Sequence, residues 1–279
     1  MHRRDFAKQM GAVLLAAGLP GELQAAPQAS GPSTPQGNMP HAMPSGPPLQ
    51  IAMLVYPAMT ALDLVAPQTI FSELMNSQVQ LVWKSRETVT SDTGISIVPT
   101  MSFADCPADL DILFVGGGTR GTWALMNDPT VIGFLQSKGA KAKLITSVCT
   151  GSLVLGAAGL LSGYKATSHW VARDLLPLFG ATPVNARVVE DRNRITVGGV
   201  TAGIDFALRI ATRLRGDEYA QALQLANEYD PQPPFKAGNP KDASPKVRDF
   251  VSGYYAPAIE EARGEAMKAR QRLGLQGGI

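Results

Sequence analysis

Along the chain, apolar residues gather into short unbroken runs separated by longer amphipathic stretches. Gln50-Ile-Ala-Met-Leu-Val-Tyr56, Asp111-Ile-Leu-Phe-Val115 and Leu144-Ile-Thr-Ser-Val148 are such runs, the pattern of strands buried on both faces. Pro57 ends the first. Thr60 then stands as N-cap of a helix predicted over 61–75, with Asp63 three residues on, as in a capping box. Further strands are predicted over 78–85, within 91–98 around Gly94, over 184–190 and over 194–197. Helices are predicted over 131–137, over 150–160 and, as one long element, over 202–227. Strands that alternate with helices call for a mostly parallel sheet covered on both faces. The expected fold is α/β, a flavodoxin-like three-layer sandwich spanning 49–234.

The ends of the chain read differently. Arg3, Arg4, Phe6 and Lys8 precede a short apolar stretch, Gly11 to Leu19, and then Ala25-Ala26. Paired arginines, a run too short to span a membrane and small residues for cleavage, in that order, predict a twin-arginine export signal over 1–26 and a periplasmic protein. Residues 27–48 are rich in Pro, Gly, Ser, Gln and Met and read as a flexible linker. Residues 235–279 read as a charged, partly helical tail.

Composition narrows the function. In 279 residues, hydrophobic side chains make up 45% and charged ones 17%, which fits a globular chain with a substantial core. A net charge of +2, from 25 basic and 23 acidic residues, gives no basic surplus for nucleic acid. Two cysteines make no disulfide scaffold, no Cys/His cluster has metal spacing, and no apolar run reaches membrane length. A small-molecule enzyme or binder is expected, with no metal and no cofactor.

In open α/β sheets, ligands sit beyond the carboxyl ends of the strands, and three turns there carry chemistry. In Thr146-Ser-Val-Cys-Thr-Gly-Ser152 a buried strand runs into Cys149 and a small-residue helix starts at once. This is the form of a nucleophile elbow with sulfur in place of a serine hydroxyl. Unpaired N–H groups at the helix start are expected to favour the thiolate and to draw the thiol pKa from about 8.5 towards neutral. Gly116-Gly-Gly-Thr119 follows a strand, and the N–H groups of Gly117 and Gly118, with that of Thr150, are candidates for an anion-stabilising hole that binds substrate. Asp63 either caps its own helix or stands beside the thiol, where burial would raise its pKa and fit it for general acid work. His169 is the single histidine outside the signal and linker, and reads as a pocket wall, an interior histidine or a base for the thiol. Cys106 precedes Pro107 away from any strand-to-helix turn and is expected to be inert, or to pair with Cys149 under oxidising conditions. Asp205 is expected to tether a turn rather than react.

Taken together these segments resemble the ThiJ/PfpI-like superfamily, and within it the branch that hydrates isonitriles. The likeness runs from about Gln50 to Phe235. It rests on Tyr56-Pro57, Leu62-Asp63-Leu64, Ser102-Phe-Ala-Asp-Cys-Pro107, Gly116-Gly-Gly118, the long segment Ser147 to Leu161, His169-Trp170, Thr201-Ala-Gly-Ile-Asp-Phe206 and Pro233-Pro-Phe235. The resemblance implies that Cys149, Thr150 and Asp63 are the functional residues, that no metal is needed, and that the chain forms a homodimer. It implies hydration of an isonitrile to an N-substituted formamide. Two other readings stand beside it: a glyoxalase-like hydratase of α-oxoaldehydes, and an exported sensor that binds a small molecule without reacting. Ala66 replaces a glycine usual in the first helix. Threonine rather than histidine follows Cys149, and Trp-Val follows His169, which argues against the peptidase and glutamine amidotransferase chemistries of the superfamily. Residues 235–279 are too few for the paired DNA-binding helices found in related regulators, so none are expected.

Overall fold

The computed structural model describes residues 47–275. The expected export signal and nearly all of the expected linker therefore lie outside the described residues.

Seven strands form one sheet. β1 (Leu49–Leu54), β2 (Ser77–Trp83), β5 (Met101–Ser102), β6 (Ile112–Val115), β7 (Leu144–Val148), β10 (Val188–Asp191) and β11 (Arg194–Val197) lie in the order β10-β11-β7-β6-β1-β2-β5. Every pairing is parallel except the β10–β11 hairpin at one edge. The three runs singled out by their apolar pattern are the three central strands, and β6 and β7 have every residue buried. Small two-stranded ribbons, β3 (Val89–Thr90) with β4 (Ser96–Ile97) and β8 (Lys165–Ala166) with β9 (Thr182–Pro183), sit outside the sheet.

Helices cover both faces, as expected for a parallel sheet. α1 (Ala61–Ser72), α5 (Ala202–Arg215) and α6 (Asp217–Ala226) pack together. α2 (Thr119–Leu125), α3 (Pro129–Gly139), α4 (Gly151–Ala157), a 3₁₀ helix over Arg173–Phe179 and α7 (Pro245–Arg272) form a second group. Phe71 and Phe114 both pack on Phe206, edge-on and stacked, which links α1 and the sheet to α5.

The structure departs from the sequence pattern in several places. The long helix expected over 202–227 is broken at Gly216, whose φ of +88° stops α5 and starts α6; its missing Cβ makes that turn cheap. α2 and the 3₁₀ helix were not foreseen. Both are single short elements whose apolar spacing is not legible over seven residues. The strand expected over 184–190 starts later, at Val188. In the expected tail, Pro245–Arg272 is one 28-residue helix. Ala262, Ala266 and Ala269 are fully buried along one face of it. Asn127 donates to Glu265 at 2.7 Å, and Arg272 donates to the carbonyls of Met126 and Ala157 at 2.9 Å each. Among the described residues no helix is long and apolar enough to cross a membrane.

Candidate active site

The chain crosses from one side of the sheet to the other between β1 and β6, and ligands in such sheets sit at this crossing. The ends of β1, β6, β7 and β11 are neighbours, so Asp63, Gly116–Gly118, Cys149 and Gly198 are brought together from four separate parts of the sequence.

Cys149 follows β7 directly and has a φ of +58°. A non-glycine residue holds that conformation at a cost of about 1–3 kcal/mol, and only where its surroundings over-determine it. Here its N–H is shared between the carbonyls of Val197 (3.0 Å) and Gly198 (2.8 Å), and its carbonyl accepts from Ser168 (3.1 Å) and Ser152 (3.3 Å). The Thr150 N–H acts on the sulfur against the rise in its pKa that burial causes.

Asp63 is fully buried on α1. It does not close a capping box. Thr60 gives its hydroxyl to Asp92 instead (2.8 Å) and makes no side-chain cap. The Asp63 carboxylate turns towards the glycine loop, where Oδ2 accepts the Gly117 N–H at 2.7 Å and Oδ1 is buried without a partner among the described residues. Burial pushes its pKa up to about 7, against the opposing pull of the Gly117 N–H and the Cys149 thiol. The expected raised carboxyl is therefore present.

The expected ionised thiol is not. Burial first, and then the negative charge of Asp63, push the Cys149 thiol well above its ordinary range, and the Thr150 N–H does not offset them. A short helix supplies a small, local field, whereas loss of water acts on the whole charge. Burial thus raises both members of the pair, the Cys149 thiol above its ordinary range and the Asp63 carboxyl to about 7.

The glycine loop also differs from expectation. The Gly117 N–H is committed to Asp63 and the Gly118 N–H to the Thr150 hydroxyl at 3.0 Å, so neither is free as an anion hole. The Thr150 hydroxyl contacts Gly118 and Thr122 (2.9 Å) rather than the carboxyl. Tyr56, fully buried, donates to the Gly116 carbonyl at 2.8 Å and contacts Thr122. The loop is a wedge that fixes Asp63 against the elbow. A Cβ on Gly117 would lie 2.6 Å from the Thr150 nitrogen and 2.7 Å from Asp63 Oδ2. Gly117→Ala is therefore expected to cost about 2–3 kcal/mol of stability by forcing backbone apart, and to lower activity with it. Thermal unfolding measures this, and an unchanged Tm would refute the wedge.

A groove of about 1130 Å³ adjoins the elbow. Leu62 and Ala66 of α1, Ser168, His169 and Gly198 are among its walls. Cys149, 6% exposed, is not on its wall, but Ser168 and Gly198 hydrogen-bond its backbone. Ala66, the residue in place of the family's usual glycine, is buried where α1 packs on Gly203. His169 lines the groove, and burial lowers its pKa. Its ring lies 6.0 Å from that of Tyr255, on α7. Tyr255, Thr122 and Ser168 carry no signal in the sequence. Tyr56-Pro57 was singled out as a motif, but isolated hydroxyls carry no spacing signal that marks them. Asp205 behaves as a tether, binding Arg187 (2.5 Å) and Tyr229 (2.9 Å). Cys106 is buried with its thiol pKa raised by burial, and both cysteines are free.

A mostly parallel sheet with a strained cysteine elbow and a buried acid from the first helix defines a class, and the chain belongs to it: residues 49–213 match the DJ-1/PfpI family. Within that family the chain is 47% identical to isonitrile hydratase of Pseudomonas putida over 228 residues, 82% of this chain and 99% of that one. It also matches the crystal structure of a ThiJ/PfpI family protein from Pseudomonas syringae, at 52% identity and a TM-score of 0.78, covering 82% of this chain and 98% of that one. The transcriptional regulator GbdR of Pseudomonas aeruginosa is 31% identical over 153 residues, 52% of this chain and 41% of its own length.

Proposed function

We propose that this protein hydrates isonitriles to N-substituted formamides, with Cys149 as nucleophile and Asp63 as the proton carrier. The observation that carries the reading is the 47% identity to an isonitrile hydratase along 99% of that relative, which supports an enzyme of the lyase type. The geometry supports the roles. A thiol kept protonated beside a carboxyl of pKa about 7 holds a single proton that passes between the two.

The reaction needs such a pair. The terminal carbon of R–N≡C accepts both the sulfur and a proton. Asp63 takes the proton from the Cys149 thiol as sulfur bonds to carbon, and delivers it to the same carbon, giving the thioimidate R–N=CH–S–Cys149. Asp63, again a carboxylate, removes a proton from water as the oxygen bonds to that carbon and passes it to the nitrogen. Collapse of R–NH–CH(OH)–S–Cys149 breaks the C–S bond, returns the proton to sulfur and releases R–NH–CHO. One isonitrile and one water give one formamide. Thr150 acts as a positioning residue, through its N–H to sulfur and its hydroxyl to the glycine loop.

The purified protein is expected to convert cyclohexyl isocyanide to N-cyclohexylformamide, followed by the loss of isonitrile and the appearance of formamide. Turnover of methylglyoxal without any isonitrile turnover would replace this reading with the oxoaldehyde hydratase. Tight ligand binding with neither turnover would replace it with a sensor. We further infer an exported homodimer, from residues 1–26 and from the family resemblance; cell fractionation and sedimentation of the mature protein test the two points.

A further inference from the structure

The groove beside the elbow is not electrically neutral. Arg173, Arg187 and Lys236 line it, against Asp205 and Asp242. Arg187 and Asp205 form an ion pair with each other. Arg173 is different. It is half-buried, one turn beyond His169, and among the described residues its guanidinium meets no carboxylate. Its partner is the neutral Asn185, whose Oδ1 accepts from Nη1 at 2.8 Å. That bond, between side chains open to solvent, does not cancel the charge. Arginine presented in this way takes a carboxylate through paired N–H donors. His169, Trp170 and Leu62 add apolar surface to the same groove.

We propose that the groove is the subsite for the substituent R, and that Arg173, held by Asn185, binds a carboxylate on it, so the preferred substrates are isonitriles of carboxylic acids. The proposal rests on the hydration reading above. Its test is a series of ω-isocyanoalkanoates of increasing chain length, each compared with its methyl ester, on wild type, Arg173→Gln and Asn185→Ala. At the favoured length the acid is expected to exceed its ester in kcat/KM by about tenfold or more, mainly through KM. Arg173→Gln is expected to abolish that preference, and Asn185→Ala to reduce it. Equal acid and ester in wild type, or a preference that survives Arg173→Gln, would overturn the proposal. Calorimetry with the ω-formamidoalkanoates separates this outcome from failure of the hydration reading. Binding lost in Arg173→Gln supports the groove even if no isonitrile turns over, and absent or unaltered binding refutes it.

Discussion

Cys149→Ala is expected to hydrate cyclohexyl isocyanide at about one ten-thousandth of the wild-type rate or less, with the fold intact. Removing a covalent nucleophile typically costs that much or more, because the remaining site can only bind and orient. The residue is buried where an alanine methyl fits, and the positive φ of the elbow is tolerated no worse by alanine than by cysteine. Circular dichroism and Tm are therefore expected to stay near wild type. Residual hydration within a factor of about ten of wild type would remove the thioimidate from the scheme. Cysteine reactivity offers a second check. Since the thiol rests protonated, alkylation by iodoacetamide should be slow below neutrality and faster as pH rises.

Asp63→Asn is expected to lower kcat/KM by about 10²–10⁴ and to make the protein more stable above neutral pH. The sign follows from the raised pKa of about 7, against an ordinary 3.8. A carboxyl whose folded pKa is raised contributes stability fully below about pH 4, loses it between about 4 and 7, and burdens the fold with a buried charge above that. Asparagine keeps an oxygen for the Gly117 N–H and removes the charge. Its Tm should match or trail wild type at pH 4 and exceed it at pH 8. Activity runs the other way. Below pH 7 both members of the pair carry protons and no base faces the thiol, so wild-type kcat/KM should rise with pH through about 7. It should fall again only where the thiol ionises. A flat profile across pH 6–8, or equal activity of the Asn variant, would show that Asp63 does not move the proton.

The stability lost to this buried carboxylate is a cost that the fold carries at its site. The neighbouring elements make it affordable: the Gly117 N–H meets one oxygen, Tyr56 and Thr122 brace the loop, and Cys149 sits in a conformation that four hydrogen bonds to its backbone enforce. This is the pattern expected of a functional site, where local rules are broken and compensated nearby.

Much of this was legible in the chain. Continuous apolar runs marked β1, β6 and β7 because a strand buried on both faces has no polar positions to spare. The strand-to-helix joint at Cys149 was visible because small residues must follow a sharp turn. The roles of the other groups were less legible. Asp63 reads either as a cap or as a partner of the thiol, and only the cap is a local event, readable within four residues. Its true partner, Gly117, stands 54 positions away. Gly117 and Gly118 looked like free donors because nothing near them in sequence uses their N–H groups, and the acceptors come from α1 and the elbow.

Periodicity and turn chemistry thus fixed the strands, their parallel arrangement and the candidate thiol, since these depend on neighbours within a few residues. Which hydrogen bonds are spent, which proton stays on sulfur, and which cation faces the groove unpaired depend on burial and on contacts between distant segments. Desolvation is a property of the packed assembly, so the chain alone pointed to a lowered thiol pKa, whereas burial in the fold raises it and raises the neighbouring acid to about 7.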